Sequence, residues 1–351
     1  MPDATELLAA LVRVPSPSGE EERVVALLAR WAAARGLAVE TGDAGVRIDV
    51  PGREPGPLLL FASHVDTVPP GEGWSVDPYG ALVADGVLWG RGAVDAKASV
   101  AAMAVAAARL AAGGGPARGS LVLLATRCEE TRETTMPAAL EALGRDPDHA
   151  IVGEPTGLDP AVAQRGLLVL EARWRGRQRH AARALPGENA ILAAARDLPL
   201  LAGTEFPPDP VLGETKVTPT EISAGIARNA TPPGCRALLD VRTTPTVPHG
   251  EVVRRLRGRL SGELAVLSDR LHPAATPAGS PLLAAIRRVR PRCRPFGSPT
   301  TSDWVFLRHV DAVKLGPGPS ELSHAPDERI SLAEVEDAAD TYLAIAREVL
   351  G

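Results

Sequence analysis

Three short apolar runs, each followed by a histidine or by acidic residues, constrain the fold of this chain most strongly. They occupy residues 57–62, 120–125 and 150–152, and a helical stretch at 96–112 separates the first two runs. Continuous apolar runs of this length are typical of parallel strands that are buried on both faces. Strands that alternate with helices predict an α/β fold, with a mostly parallel sheet flanked by helices. In such sheets, ligands bind beyond the carboxyl ends of the strands.

The middle of the chain has a different pattern, with few candidate catalytic groups. The predicted elements there are strands at 167–175, 217–222 and 236–241 and helices at 189–202 and 251–260. Pro219 lacks a backbone N–H, so the strand that contains it should lie at a sheet edge. We predict one discontinuous domain, formed by residues 1–166 and 276–351. Residues 167–275 should form a smaller inserted α+β domain.

Composition narrows the class of protein. The 351 residues are 45 % hydrophobic and 23 % charged, which is ordinary for a globular protein of about two domains. The net charge of −5 argues against a general nucleic-acid or anionic-membrane binder. The apolar run at 99–110 is too short to span a bilayer, and the start of the chain lacks a signal-peptide pattern. We therefore expect a cytoplasmic protein with no nucleic-acid and no membrane partner.

Cysteine is not expected to bind metal or to form disulfides in this protein. Cys128, Cys235 and Cys293 are an odd number of thiols at wide spacing, without a C-x-x-C pair. A disulfide framework and a cysteine zinc site are both disfavoured by this pattern.

Histidines and acidic residues, by contrast, gather after the predicted strands. His64 and Asp66 are two residues apart in an extended segment, so their side chains share a face, and the carboxylate can hold the ring of a metal-bound histidine. Glu129 and Glu130 are adjacent and point different ways, so one can bind metal while the other moves protons. Imidazole and carboxylate ligands without sulfur suit zinc, cobalt or manganese. The full set is His64, Asp66, Asp95, Glu129, Glu130, Glu154 and His324.

A series of motifs in a fixed order gives this set a family context. The motifs are SHVDTVP at 63–69, WGRGAVDAK at 89–97, CEE at 128–130, GEPT at 153–156, NATP at 229–232, TSD at 301–303 and GPG at 316–318, before His324. Over nearly its whole length the chain resembles the two-zinc family of aminoacylases, acetylornithine deacetylases and succinyl-diaminopimelate desuccinylases. The resemblance implies a zinc-exopeptidase-like catalytic domain, with residues 167–275 as a lid that often also forms the dimer surface.

The resemblance implies two divalent metal ions, with zinc as the first choice and cobalt as the second. Asp95 would bridge the two ions. His64 and Glu154 would complete the shell of one ion. Glu130 and His324 would complete the shell of the other.

The resemblance also implies the catalytic and substrate-binding residues. Glu129 would be the general base, and Asp66 would orient His64. His180 in the lid would polarise the scissile carbonyl. The expected substrate contacts are Asn229, Arg242 and Thr301. The partners implied are a small-molecule N-acyl amino acid and a second copy of the chain, bound through the lid.

The expected activity is removal of an acyl group from an amino acid. Residues 297–303 with 316–318 resemble acetylornithine deacetylases, so arginine biosynthesis is the first interpretation. Residues 180–191 and 324–329 also resemble diaminopimelate desuccinylases. A lysine-pathway hydrolase acting on succinyl-diaminopimelate or on carrier-linked lysine or ornithine is therefore an alternative, as is a dipeptidase or carboxypeptidase. A different class, a non-catalytic amino-acid-binding protein on the same scaffold, remains open.

Two further groups of residues have more ordinary interpretations. Arg173, Arg175, Arg177 and Arg179 alternate, which predicts one face of a strand that is either solvated or a docking strip for an acidic partner. The remaining histidines are expected at the surface: His149, His249, His272 and His309.

Overall fold

The computed structural model describes residues 3–131 and 133–351. Its α-helices are α1 (Ala4–Val12), α2 (Glu22–Ala33), α3 (Lys97–Ala112), α4 (Met136–Glu141), α5 (Ala190–Ala202), α6 (His249–Arg257), α7 (Pro281–Val289) and α8 (Leu332–Leu350). Its strands are β1 (Ala38–Gly42), β2 (Gly45–Pro51), β3 (Glu54–His64), β4 (Leu82–Ala84), β5 (Val87–Trp89), β6 (Arg118–Thr126), β7 (His149–Val152), β8 (Ala161–Gln164), β9 (Gly166–Arg175), β10 (Lys216–Ala224), β11 (Gly234–Thr243), β12 (Glu263–Leu271), β13 (Ala274–Ala275), β14 (Phe296–Ser298), β15 (Asp311–Lys314) and β16 (Arg329–Ser331).

The chain divides into two compact units. Unit 1 comprises Met1–Val162, Thr276–Phe296 and Ser302–Gly351. Unit 2 comprises Ala163–Ala275 and the short piece Gly297–Thr301. The sequence-based boundary at residue 166 lies four residues after the first of these borders, and the short second piece of unit 2 was not predicted.

The predicted, mostly parallel sheet is the centre of unit 1. Its strands follow the order β1-β2-β6-β3-β7-β15-β8. β3 pairs in parallel with β6 and β7, and β15 pairs in parallel with β7. The three apolar runs of the sequence form β3, β6 and β7, and their central residues are fully buried. Because these strands run in the same direction, the polar residues that follow them meet at one edge of the sheet.

Helix α3 forms much of the core of unit 1. Nearly all of its side chains are buried, and most of them are alanines, so it packs closely against both α1 and α8. This helix contains the apolar run at 99–110. Across residues 3–131 and 133–351, none of the helices combines the length and the apolar character needed to cross a membrane.

Unit 2 contains an antiparallel sheet of order β10-β11-β9-β12. The two helices predicted in this region are α5 and α6, and alternate residues of β9 face a separate core around Leu170 and Trp174. β10, which contains Pro219, lies at a sheet edge, as its sequence predicted. The other edge strand, β12, was not predicted, because its pairing with β9 is irregular and its side chains do not alternate cleanly.

Candidate metal centre

His64 ends β3, and contacts on both ring nitrogens fix its side chain. The ring is 1 % exposed, and its Nδ1 lies 3.0 Å from the backbone oxygen of Asp66. A carbonyl oxygen can only accept, so in the neutral ring Nδ1 holds the proton and Nε2 presents a lone pair. That Nε2 lies 3.3 Å from Oδ1 of Asp95 and 3.9 Å from Oε1 of Glu154. The ring is therefore oriented as a metal ligand, and a hydrogen bond from its other nitrogen to the backbone oxygen of Asp66 fixes that orientation.

Asp66 contacts more than the histidine that it was predicted to orient. Its Oδ1 accepts the backbone N–H of Glu129, and its Oδ2 accepts the backbone N–H of Glu130, both at 3.1 Å. The Ser18 hydroxyl donates to Oδ2 at 2.7 Å. Burial alone would raise the pKa of Asp66, but the hydrogen bond and charge of His64, together with the hydrogen bonds from Ser18 and Glu130, outweigh burial and lower it. One ionised carboxylate thus holds the ring of His64 and the turn that contains both glutamates.

Asp95 lies between two imidazoles. Its Oδ1 faces Nε2 of His64 at 3.3 Å, and its Oδ2 faces Nε2 of His324 at 3.4 Å. It precedes α3 but does not cap that helix, whose N-cap residue Ala96 makes no side-chain cap bond. A carboxylate with one oxygen on each of two histidines has the arrangement that a bridging ligand requires.

Each of the two glutamates expected among the ligands lies near one of these histidines. Oε1 of Glu130 is 2.8 Å from Nε2 of His324, while Glu154 lies on the side of His64. Ligand atoms of His64, Asp95 and Glu130 lie within 4.8 Å of one another. The same limit holds for His64, Glu129 and Glu154. Neither group is identical to a ligand set expected from the sequence. The first contains His64 where His324 was expected, and the second contains the expected base Glu129 where Asp95 was expected.

The electrostatics of the cluster favour bound cations. Burial, and then the charge of Asp95, raise the pKa of Glu154 to about 8. Burial and the charge of Glu154 raise the pKa of Glu129 well above its ordinary value. Burial opposes protonation of His64, but hydrogen bonds with Asp66 and Asp95, together with the charges of Asp66 and Glu129, outweigh it and raise the pKa of the ring well above its usual range. Protons thus compensate the excess of carboxylates, and divalent ions would do so more strongly. The oxygen and nitrogen donor set fits zinc or cobalt.

Two residues near these ligands have a left-handed backbone conformation. Cys128, with φ +58°, immediately precedes Glu129, and His324 has φ +63°. Non-glycine residues adopt this region at some energetic cost and do so often at functional sites. The side chain of His324 is 50 % exposed, which leaves this side of the cluster open to solvent.

Comparison with known proteins identifies the family. The model described as peptidase family M20/M25/M40 matches residues 60–348. The chain belongs to the M20 peptidase family. It is therefore a hydrolase that acts on amide bonds, as the sequence motifs predicted.

The relatives of this M20 hydrolase have two kinds of name. It is 31 % identical to a putative [LysW]-lysine/[LysW]-ornithine hydrolase of Aeropyrum pernix, over 97 % of this chain and 94 % of the relative. It is 32 % identical to a succinyl-diaminopimelate desuccinylase of Gluconacetobacter diazotrophicus, over 97 % of this chain and 95 % of the relative. The solved structure of Bacillus subtilis YXEP, described as a dinuclear metal-binding peptidase of the M20 family, has the same fold. Its TM-score is 0.78 at 17 % identity, with 99 % of this chain and 97 % of that chain covered.

Glu328 and Arg91 are residues of the M20 hydrolase site for which the sequence analysis predicted no role. The Glu328 carboxylate is completely buried and accepts the backbone N–H groups of Gly92, Val94 and Asp95 at 2.7–3.0 Å. Arg91 donates to Glu328 at 2.6 Å and to the backbone oxygen of His324 at 3.3 Å. Arg91 lies within the WGRGAVDAK motif, and Glu328 lies four residues after His324. This closeness in sequence to predicted site residues was the only signal that could have identified them.

Asp303 and Lys314 are buried at the same edge of the sheet. Asp303 accepts the Thr134 hydroxyl at 2.9 and 3.0 Å, and burial raises its pKa to about 6. Lys314 ends β15, and burial lowers its pKa although the charge of Glu154 raises it. Asp303 was quoted within the TSD motif, where the substrate contact was assigned to Thr301 instead.

The other predicted site residues lie in unit 2. His180 is exposed, and its Nδ1 accepts the N–H of Ala182 at 3.2 Å. The backbone oxygen of Asn229 accepts the N–H of Ala181 at 2.8 Å, which holds these two segments together. The other two residues are engaged within unit 2. Arg242 contacts Asp240 through two hydrogen bonds, and the Thr301 hydroxyl donates to the backbone oxygen of Arg165.

The alternating arginines of unit 2 are paired with acidic residues. Glu171 contacts Arg173, and Glu263 contacts Arg175 at 2.8 Å. Glu188 contacts both Arg177 and Arg179. β9 ends at Arg175, so Arg177 and Arg179 do not lie on the strand face that was predicted for all four. Neighbouring glutamates offset the positive charge of these arginines, which favours the interpretation as solvated residues over that of a docking strip.

Proposed function

We propose that this M20 hydrolase binds two divalent metal ions and cleaves the amide bond of an N-acylated amino acid. The proposal rests on one observation, the two oxygens of Asp95 that face Nε2 atoms of two different histidines at 3.3 and 3.4 Å. Zinc is the first choice of ion and cobalt the second. The proposed ligands are His64, Asp95, Glu130, Glu154 and His324.

The proposed chemistry is hydrolysis with Glu129 as the general base. When bound, the two ions would lower the pKa of a water molecule and polarise the amide carbonyl. Glu129 would accept a proton from the attacking water and donate it to the nitrogen of the departing amine, so the protons balance over the reaction. Asp66 would position this base, because it accepts the backbone N–H of Glu129 at 3.1 Å.

The roles in unit 2 are proposed from the resemblance alone. His180 would polarise the carbonyl, and unit 2 would act as a lid and as the surface of a homodimer. The substrate contacts in this proposal are Asn229, Arg242 and Thr301. A cytoplasmic place in amino-acid biosynthesis belongs to the same proposal.

For the substrate, we propose an amino acid of the lysine and ornithine type, linked through its amino group to a carrier. Chain length supports the carrier-linked form. The alignment with the LysW-type hydrolase extends over 349 residues, close to the 351 of this chain. The alignment with the desuccinylase extends over 384 residues, so that enzyme has segments that this chain lacks.

The second candidate substrate is succinyl-diaminopimelate, because desuccinylases are also among the relatives at 32 % identity. Acetylornithine, which the tail motifs suggested first, is the third. Each of these compounds presents an acyl group on an amine, and all of them suit the same site chemistry.

The test compares rates on defined substrates after metal removal and reconstitution. Chelator-treated protein would receive zinc or cobalt and then a LysW-lysine conjugate, N-succinyl-diaminopimelate, N-acetylornithine or a simple dipeptide. We expect amine release only with metal, and the highest kcat/KM on the carrier conjugate. A higher kcat/KM on the succinyl or acetyl compound would overturn the carrier assignment but keep the hydrolase. Tight metal binding without turnover of any substrate would instead favour an amino-acid-binding protein.

A further inference from the structure

Unit 2 contains a second cluster of metal-ligand side chains, separate in sequence from the proposed catalytic ligands. It consists of His249, the first residue of α6, with Asp269 in β12 and His272 just after that strand. His249 was predicted to lie at the surface, but it is only 2 % exposed. The prediction was wrong because the ring is accommodated by polar partners on both sides.

The three side chains converge on one point. His249 Nδ1 is in direct contact with Oδ1 of Asp269, and His272 Nε2 lies 3.7 Å from the same oxygen. All three ligand atoms lie within 4.8 Å of one another, the same limit that the His64–Asp95–Glu130 group meets. The two imidazole rings stack with centroids 4.3 Å apart and planes 20° apart. Each ring also turns a nitrogen toward the shared carboxylate.

The second ring nitrogen of His249 also has a hydrogen-bond partner. Nε2 of His249 lies 2.7 Å from the hydroxyl of Thr243, at the end of β11. A partner on the second nitrogen fixes the orientation of a metal-binding histidine. His64 has the equivalent arrangement, with Asp66 on its second nitrogen.

We propose that His249, Asp269 and His272 form a zinc site in unit 2. The ligands would be Nδ1 of His249, a carboxylate oxygen of Asp269 and Nε2 of His272, with water in the fourth position. Tetrahedral zinc with bonds of about 2.0–2.2 Å holds its ligand atoms roughly 3.4 Å apart, which lies within the spread of this cluster. Asp269 is 52 % exposed, so its side chain has room to move away from His249 and admit an ion. Two imidazoles select zinc over magnesium or calcium, which prefer oxygen ligands.

The bound ion would have a structural role. The pairing of β12 with β9 shifts register between Ser268 and Leu271, the stretch that contains Asp269. Zinc would join this irregular end of β12 to the first turn of α6. Because only the folded chain brings these ligands together, bound zinc would stabilise unit 2.

The test counts zinc ions on the full-length protein and on two variants. Asp269→Asn and His272→Ala each remove one partly exposed ligand, so both are expected to fold, and circular dichroism verifies this. The control is His309→Ala, which removes a half-exposed histidine that lies 3.3 Å from Asp146 in unit 1. Equilibrium dialysis against buffered zinc, followed by elemental analysis, gives the number of ions per chain.

We expect the wild type and the control to bind one more zinc ion per chain than either variant. The variants should also lose part of the zinc-dependent increase in unfolding temperature. They should retain metal-dependent amide hydrolysis, since the proposed catalytic ligands are untouched. Equal zinc stoichiometry in all four proteins would overturn the site. Activity of the Glu129→Gln variant tests the catalytic centre, whereas the zinc stoichiometry of the unit 2 variants tests the proposed zinc site, so the two proposals can fail separately.

Discussion

Oε1 of Glu328 accepts the backbone N–H of Asp95 at 3.0 Å, so a fully buried carboxylate lies directly behind the residue proposed to bridge the metal ions. The same carboxylate pairs with Arg91, whose other amino group reaches the backbone of His324 at 3.3 Å. Glu328 therefore links the segments that present two proposed ligands. We infer that it positions these ligands without touching the metal.

The variant Glu328→Gln tests this positioning role. Glutamine has the same shape, but its amide group would turn N–H bonds toward backbone donors and would leave Arg91 without a carboxylate. We expect metal binding to weaken about 10–100-fold. The free energy of unfolding should fall by about 3–5 kcal/mol, because a buried charge loses its partner.

Chelator competition and urea denaturation measure the two effects. Glu321→Gln, at an exposed position nearby, is the control. A loss of stability with unchanged metal affinity would contradict the positioning role.

Asp66→Asn should impair both metal binding and turnover. Both carboxylate oxygens of Asp66 accept backbone N–H bonds from the Glu129–Glu130 turn, and an asparagine would present an amide N–H to one of them. We expect lower zinc affinity through His64 and a lower kcat through Glu129. Ser18→Ala removes only the hydroxyl that donates to Oδ2, so its effect should be much smaller. Equal effects of the two variants would show that Asp66 does not organise this turn.

Glu129→Gln should abolish turnover and leave the metal content normal. The amide is isosteric with the acid but cannot take a proton from water, and loss of a general base costs about 10²–10⁴ in rate. Zinc per chain, measured by elemental analysis, reports whether the ligands are intact. Substantial activity in this variant would reject the assignment of Glu129 as the base.

The sequence predicted the parts of this molecule that depend on local patterns. The apolar runs became β3, β6 and β7, and parallel pairing then brought the residues after them to one edge. The helical stretch at 96–112 forms α3. The Asp95 side chain, however, lies among the proposed metal ligands and does not cap this helix.

What the sequence could not show depends on contacts between distant residues. Glu328 acts on backbone N–H groups more than 230 positions away, and no side-chain pattern signals such a contact. His249 looked like a surface residue because its partners Thr243 and Asp269 come together only in the folded unit. β12 was missed because its register shifts break the alternation of buried and exposed residues on which strand prediction relies.

Zinc binding near neutral pH should release protons. Without ions, the pKa of Glu154 is about 8, so its carboxyl is largely protonated at pH 7, and the pKa of His64 is also raised. A divalent ion requires both groups in their deprotonated form. We expect apparent zinc affinity to increase as pH rises from 6 to 8. Isothermal titration calorimetry in buffers of different ionisation enthalpy measures the protons released. Binding heats that do not depend on the buffer would contradict the expected coupling.

Asp197→Asn should destabilise the protein near neutral pH and have a smaller effect in acid. The buried carboxylate of Asp197 accepts the indole N–H of Trp174 at 2.8 Å and the N–H and hydroxyl of Ser261 at 2.7 Å, and so joins α5 to β9 and to the segment just before β12. Burial raises the pKa of Asp197, but the bonds from Ser261 and Trp174 outweigh it and lower the pKa below its ordinary value. The stabilisation is therefore complete at pH values above the pKa of Asp197 in the unfolded chain, about 3.9, and is lost as pH falls through its lower pKa in the folded protein.

We expect the Asp197→Asn variant to lose about 2–3 kcal/mol in the free energy of unfolding at pH 7, since hydrogen bonds to a charged group are involved. Urea denaturation at pH 7 and near pH 3 measures the change, with the exposed Asp43→Asn as control. An equal difference between wild type and variant at both pH values would show that the charge of Asp197 does not stabilise unit 2.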